Sequence, residues 1–575
     1  MSITDMVERK QWKVAPPAPE GFIETMRPRH PLLAQVLYNR GFGTAEQAVA
    51  FLAHRGDLGN PFKLDGIPAG VTLIRQTIAD GEPIAVYGDY DVDGVTATAV
   101  LVETLQALGA NVRAYIPSRE DEGYGLNREA LRALAEEHVR LLITADCGIR
   151  SLDEVATARE LGMRVIVTDH HHTGLALPQA DVVINPKRAG SPREYFDLAG
   201  VGVAFKVAQA LLRTNCRVPL ATTQRELAEE DLLDLVALGT VADMVALREE
   251  NHRLVSLGLD RINTGHRPGL SALLRVAGID PGKVTAKTIG FVLGPRLNAA
   301  GRIDEAMAAL DLLLAPDMAS ALPLAEKLDE LNTVRRAITL DVRETARSMV
   351  LSRETLPPLI FAASDRFPSG VVGLAASRLL DEFYRPAVVV AVEDDFSKGS
   401  ARSIPEFHIT EALDTMDDLL VRHGGHAAAA GFTVKTSLLD ELASRLTSLA
   451  EEKLGDVALI PTLYVDAEAP LSELSWELYR QLEELQPFGY GNLVPVFVSS
   501  EVRVLSARAV GAEGQHLKLY VADQAGRAWD AIAFRQGHWV ERLPTWVDLA
   551  YMLEMNEWNG RISLQLNVQD IHPSA

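Results

Sequence analysis

The stretch "RVIVTDHHH", residues 164–172, decides how this chain is read. "RVIV" is a short apolar run of the kind that forms a strand buried on both faces. An aspartate and three histidines follow it at once, and three imidazoles make a poor core and an unusual loop. The arrangement recurs upstream: "PIAVYG" runs into "DYDVDG" (89–94), and "RLLIT" runs into "ADCG" (145–148). Working outward, "GVTATAVLVETLQALGA", "NREALRALAEEH" and "LDEVATARELG" read as helices, and "VRAYIP" and "DVVINP" as further strands. Strands alternating with helices predict an α/β fold with a parallel, doubly wound sheet.

Ligand sites of such sheets lie at the carboxyl ends of the strands. Asp89, Asp91, Asp93, Asp146, Asp169, His170 and His171 are therefore expected to share one crevice. Carboxylates packed that closely repel and raise one another's pKa. A cation relieves the repulsion, and the histidines complete its ligand set. Each piece alone reads otherwise: D-x-D-x-D-G as a turn, Asp146 as a helix cap, the histidine pair as surface. A calcium loop starting at Asp89 fails, because its twelfth position is Val100 rather than a glutamate. Coincidence at three strand ends selects the metal.

"ELAEEDLLDLVALGTVADMVAL" (226–247) predicts a helix with Asp243 in its apolar part. A buried, unpaired carboxylate costs several kcal/mol, so Asp243 needs a cap, an arginine or, preferably, the metal. Mixed carboxylate and imidazole ligands favour Mn²⁺ or Mg²⁺ over calcium. The set is large enough for two divalent ions, which about 3.5–4 Å apart suit phosphoester chemistry by activating water and clamping phosphate oxygens.

The chain has 575 residues, which predicts three or four domains. A net charge of −22 argues against a generic nucleic-acid binder, although a local basic groove survives inside an acidic protein. Two cysteines, Cys147 and Cys216, are too few for a disulfide framework and fit a reducing compartment. No apolar run of about 18 residues occurs and the N-terminus lacks a signal-peptide core, so a cytoplasmic protein without a membrane span is expected. Residues 1–60 read as a helical lead-in, and about 317–352 as a long charged connecting helix. "PLIFAAS", "GVVGLAASRLLDEF" and "PAVVVAVED" form a second α/β stretch. After about 460 the texture is β-rich and predicts a small barrel, an OB-fold.

"DYDVDG", "TADCG", "TDHHH" and "LGTVADMVAL", in this order, resemble the four motifs of the DHH phosphoesterase superfamily, Asp169-His170-His171 being its triplet. "IPSREDEGYGL" (116–126), "LAGVGVAFK" (198–206), "GFVLGPRLNAAGRI" (290–303), "GSARS" (399–403), "GGHAAAAGF" (424–432) and "LQPFGYGN" (485–492) are similar to the RecJ family within it. The resemblance runs from about residue 30 to the end. It implies a DHH domain (61–250), a helical region with the connecting helix (251–352), a DHHA1 domain (353–455) and an OB-fold (456–575). It implies metal-dependent 5′→3′ removal of mononucleotides from single-stranded DNA in recombination and repair, by a monomer working with a helicase and a single-strand-binding protein. By motif position it makes Asp91, Asp93, Asp146, His170 and Asp243 ligands, Asp146 a bridge, and His171 the residue that orients the phosphate. Many DHH proteins carry a histidine four residues before the first ligand aspartate. Here that position is Tyr87, which leaves Asp89 as a candidate ligand.

Arginines bind phosphate bidentately. Of Arg119, Arg296, Arg302 and Arg402, all in these stretches, Arg119, Arg302 and Arg402 with Ser400 are the expected 5′-phosphate anchor; an interdomain ion pair is the alternative for each. His426 sits among small residues that permit close approach and is expected to face phosphate. His516, Lys518, Tyr520, Trp529, Phe534 and Trp558 offer stacking surfaces for bases, with strand alternation expected to put about half of them in the core. Two other classes fit the motifs less well. A phosphodiesterase for short oligonucleotides lacks the barrel, and a non-catalytic scaffold would have lost acidic ligands.

Overall fold

Five apolar runs pair into one parallel sheet in the computed structural model, which describes residues 10–53, 58–118, 125–303, 307–353 and 355–574. The strands are β1 (Ile84–Gly88), β2 (Val112–Tyr115), β3 (Leu141–Ala145), β4 (Arg164–Thr168) and β5 (Val182–Ile184), in the order β2-β1-β3-β4-β5. Every residue of β1 and β3 is buried, as a sheet covered on both faces requires. On one face lie helices α1 (Val92–Ala107), α2 (Gly200–Arg217) and α3 (Leu233–Ala242), which pack on one another. Helix α1 is buried nearly all round, so its polar residues must find partners inside the protein. The sequence reverses direction across the sheet between β1 and β3, and that switch point sets where a crevice opens.

The helix expected over 226–247 is shorter. A 3₁₀ turn, Glu229–Leu232, leads into α3, which stops at Ala242. Asp243 caps its end and Met244 turns the chain at φ +61°. Asp243 therefore stands at a helix terminus, not on an apolar face.

The chain divides into two compact units. One, Ala50–Arg335 with Gln486–Leu493, holds the parallel sheet. The other, Met1–Val49, Arg336–Leu485 and Val494–Ala575, holds three further sheets among the described residues. The boundary falls within the helix Met318–Leu351, the expected long connector. In the second unit β6 (Ile360–Ser364), β7 (Ala387–Ala391), β8 (Phe396–Arg402), β9 (Leu420–His426) and β10 (Ala429–Lys435) form a mixed sheet in the order β9-β10-β8-β7-β6. Then β11 (Phe497–Val510), β12 (His516–Ala522), β13 (Ala528–Ala533), β14 (Trp546–Trp558) and β15 (Arg561–Pro573) close into a barrel, since β14 pairs with both β15 and β11.

The first residues are more than a helical lead-in. Gln11–Val14 is a strand paired in parallel with Thr462–Val465. Trp12 stacks on His572, and its indole N–H donates to Asp570 at 2.7 Å. No helix among the described residues is long and apolar enough to cross a membrane.

Candidate active site

The carboxyl ends of the parallel strands carry the acids, and the sheet's own ladder places them. The Asp89 N–H donates to Ala145 O at 3.2 Å, the Asp146 N–H to Thr168 O at 3.1 Å, and the Asp169 N–H to Ile184 O at 3.1 Å. Each acid thus extends the hydrogen bonding one step past its strand. Asp91 caps α1 by accepting from Gly94 N–H at 3.0 Å. Asp93, the second residue of α1, accepts from Gly200 N–H at 2.6 Å and Val201 N–H at 2.8 Å. These are the first amides of α2, where the helix dipole favours a carboxylate. A Cβ at Gly200 would lie 2.4 Å from Asp146 Oδ1, so only glycine lets α2 approach this closely. Asp146 itself is held at φ +65°, a strained backbone for a non-glycine residue.

The histidines meet these acids. His170 Nε2 lies 3.2 Å from Asp146 Oδ1, 3.6 Å from Asp243 Oδ2 and 3.9 Å from Asp93 Oδ2. His171 Nδ1 is 2.8 Å from Asp169 Oδ1 and 3.8 Å from Asp146 Oδ1. Three sets of ligand atoms each fall within 4.8 Å of one another: Asp146, His170 and His171; Asp93, His170 and Asp243; Asp89, Asp91 and Asp146. Asp146 and His170 each belong to two of them, which is the arrangement of a multi-ion site.

Electrostatics make the same case. Burial, reinforced by Asp91, pushes Asp93 up to about 7. Burial with Asp93 and Asp91 pushes Asp243 up to about 9, and burial with four neighbouring aspartates pushes Asp146 well above the carboxylate range. Burial, helped by His171, pushes His170 down to about 3, so its ring is neutral with a lone pair to offer. Asp146 Oδ1, Asp243 Oδ2 and His170 Nε2 are buried with no hydrogen-bond partner among the described residues. Buried polar atoms are rarely left so, and these face one another. The residues present fit divalent cations.

Asp169, expected in the crevice, belongs to none of the three sets. Its carboxylate is spent on the loop: Oδ2 accepts from Ile149 N–H at 2.9 Å, and Oδ1 meets the His171 N–H at 2.9 Å and Nδ1 at 2.8 Å. Burial opposes its ionisation, but those bonds hold it below the usual range. Burial would lower His171, yet the Asp169 bond and the surrounding aspartates raise it. Asp169 thus fixes the ring of His171. Tyr87 lies in the core, its hydroxyl donating to Gly125 O at 3.1 Å. His172 is exposed, its carbonyl accepting from Arg150.

Of the expected phosphate contacts, Arg119 lies outside the described residues, as does the side chain of Arg302, whose backbone lies in the helix Gly294–Ile303. Arg296 is engaged otherwise, with Asp329 at 2.8 Å and Val292 O at 2.8 Å. Ser400, Arg402 and His426 come together in the second unit. Strand register aligns Arg402 with Ala429 and Ala429 with His426, while Ser400 aligns with Gly431 and Gly431 with Gly424. Opposed residues share a face, so three polar groups rise from a floor of glycine and alanine. Arg402 Nη1 donates to Ser400 Oγ at 3.0 Å. Gly373, in the first turn of the helix Val372–Phe383, faces both: a Cβ there would lie 2.9 Å from Ser400 Oγ and 3.1 Å from Arg402 Nη2.

None of the six barrel residues is fully buried. Leu517, Leu519 and Val521 take the buried side of β12, which leaves His516, Lys518 and Tyr520 outside. Trp529 is half-buried, with its N–H on Leu471 O at 3.2 Å, and Phe534 and Trp558 are exposed. Sequence reasoning also passed over two supports. Asn298 Oδ1 accepts the first N–H of α1 at 3.2 Å. The loop Gln486–Leu493 holds the segment after Asp243, through Leu247 N–H to Tyr490 O at 2.8 Å and Arg248 Nε to Gly491 O at 2.9 Å. Both lie in quoted motifs, but only the fold shows what they touch.

A doubly wound sheet with acids at its switch point and an Asp-His-His loop defines the DHH class, and residues 83–240 match the DHH family N-terminal domain. Residues 357–452 match the DHHA1 domain, and 465–570 the RecJ OB domain. The chain is 38% identical over 572 residues to the single-stranded-DNA-specific exonuclease RecJ of Bacillus subtilis, covering 98% of this chain and 71% of that one. It is 37% identical to the protein of that name from Escherichia coli, covering 94% and 96%. The crystal structure of RecJ in complex with Mn²⁺ from Thermus thermophilus superposes with a TM-score of 0.84 at 31% identity, covering 98% of this chain and 80% of that one; the Mg²⁺ complex gives 0.77 at 30%. The chain belongs to the RecJ family.

Proposed function

We propose that this chain is a metal-dependent exonuclease that removes 5′-mononucleotides from single-stranded DNA in the 5′→3′ direction, serving recombination and repair. The observation that carries this is the convergence of Asp89, Asp91, Asp93, Asp146, Asp243, His170 and His171 at the sheet's switch point, with buried ligand atoms that nothing among the described residues satisfies. Asp89, Asp91, Asp93, Asp146, His170 and Asp243 would hold two divalent cations, Mn²⁺ or Mg²⁺, with Asp146 between them. Such ions lower the pKa of water and neutralise phosphate oxygens.

The protein's own residues do the rest. The α2 amides fix both oxygens of Asp93, and Asp169 fixes Nδ1 of His171, so that Nε2 is left to orient the scissile phosphate. Arg119, Arg302, Ser400 and Arg402 are each proposed to bind phosphate, Arg402 through a guanidinium steadied by Ser400. His426 faces substrate across a surface small enough for a nucleic-acid backbone to approach. The domain limits proposed are a lead-in 1–60, DHH 61–250, a helical connection 251–352, DHHA1 353–455 and OB-fold 456–575. A cytoplasmic monomer receiving its single strand from a helicase, with a single-strand-binding protein, completes the reading.

The test is degradation of a 5′-phosphorylated, 3′-labelled single-stranded oligonucleotide, with Mn²⁺ or EDTA, beside Asp146→Ala. Mononucleotide release that needs both the metal and Asp146 is the expected result. DNA binding without turnover would make the chain a scaffold, and cleavage of only very short oligomers would make it a phosphodiesterase.

A further inference from the structure

Lys187 plays no part in the site as described, yet the fold delivers it there. It lies just past β5, in "NPKR". Asn185, fully buried, ties this segment to the Asp-His-His loop: its Oδ1 accepts from Lys187 N–H at 2.8 Å and its Nδ2 donates to His171 O at 2.9 Å. Arg188 donates back to Val183 O at 2.6 Å, closing the turn. The half-buried Lys187 ammonium lies in the field of Asp243 first, then Asp169, Asp197 and Asp146, and its charge also reaches His170. Among the described residues it is locked in no ion pair with any of these acids, so it is free to take another partner.

Charge balance says which partner. Asp89, Asp91, Asp93, Asp146 and Asp243 bring five negative charges when ionised, and two divalent ions bring four positive ones. A phosphodiester adds a further negative charge. The Lys187 ammonium beside these acids offsets it, and being a compact point charge with three donors it suits a phosphate oxygen.

We infer that Lys187 contacts the substrate phosphate at the Asp/His cluster, as a binding residue distinct from the metal ligands. This rests on the nuclease reading above. The test compares Lys187→Gln and Lys187→Arg with the parent protein in Mn²⁺. The readouts are kcat/KM on single-stranded DNA over a salt series, and Mn²⁺ binding without DNA by calorimetry.

Lys187→Gln is expected to lose roughly 10–100-fold in kcat/KM, the range of one charge-assisted hydrogen bond. Its log–log salt slope should become shallower by about 0.7, the loss of one phosphate contact to a single strand. Lys187→Arg should recover most of the rate, and Mn²⁺ affinity should be undiminished in both. Rates within twofold of the parent would overturn the inference, as would a loss matched by weaker Mn²⁺ binding, which marks a structural support. Absence of turnover by the parent in Mn²⁺ would overturn the nuclease reading itself and the inference with it.

Discussion

The parallel sheet and the mixed sheet both present a cluster of polar side chains, and they do so under opposite constraints. At the ends of β1, β3 and β4 the groups are buried acids and a neutral histidine, crowded until Asp93, Asp146 and Asp243 are pushed off their ordinary pKa and oxygens of Asp146 and Asp243 are left without hydrogen bonds among the described residues. On the face of β8, β10 and β9, Ser400, Arg402 and His426 are half-buried or exposed, and Arg402 is already satisfied by Ser400 and Ala401 O. The first cluster is unstable as a set of ions until cations enter, whereas the second needs nothing to persist. Rigid, frustrated placement suits holding cations; open, satisfied placement is what the proposed phosphate contacts require.

The largest effect that would sharpen this contrast comes from Asp146→Ala. Losing the acid shared by two ligand sets removes several kcal/mol of ion-dependent stabilisation, about 10³-fold or more in rate. The same change should raise the melting temperature of the metal-free protein, because it relieves carboxylate repulsion. Calorimetry of parent and variant in EDTA checks this, and a lowered midpoint would break the contrast.

Next comes pH. Asp93 and Asp243 have folded pKa values of about 7 and about 9, above the unfolded value near 3.8. Groups raised in this way stabilise the fold at low pH and lose that contribution as pH rises toward the folded values. The metal-free protein should therefore lose stability from about pH 4 to pH 9. Saturating Mn²⁺ should reverse the trend, adding about 2.7 kcal/mol at 100 times its Kd. Melting curves across that range, with and without Mn²⁺, decide the matter.

Smaller effects belong to the second face. Arg402→Ala should cost roughly 10-fold in kcat/KM on 5′-phosphorylated strands, with Mn²⁺ affinity unchanged. A steady-state comparison with 5′-hydroxyl strands, where the loss should shrink, tests it. Gly373→Ala should cost only a few-fold, since its methyl meets the movable ends of Ser400 and Arg402. An effect as large as that of Asp146→Ala would show that the second face is as rigid as the first.

Much of this was legible. "PIAVYG", "RLLIT" and "RVIV" announce buried parallel strands, and the acids that follow them had to meet because strand ends converge. Asp243 was found through its cost in an apolar stretch, but its position as a helix cap depends on the turn at Met244, which nothing local demands. Asp169 was expected in the crevice because it follows a strand end; only geometry shows its oxygens already engaged by Ile149 and His171. Lys187 carried no signal, since its importance comes from a strand partner and from Asn185. The barrel residues were half assigned to the core by alternation, yet five fall on the outward side or at strand ends, and Trp529, opposite Val521, is only half-buried.

The pairing of Gln11–Val14 with Thr462–Val465 has a consequence for biosynthesis. The strand made first finds its partner only about 450 residues later. At 5–20 residues per second that is a wait of roughly 20–90 s. Throughout it, Trp12 lacks His572, the ring on which it finally stacks. Gln11–Val14 is thus a strand without its partner for the whole of that interval.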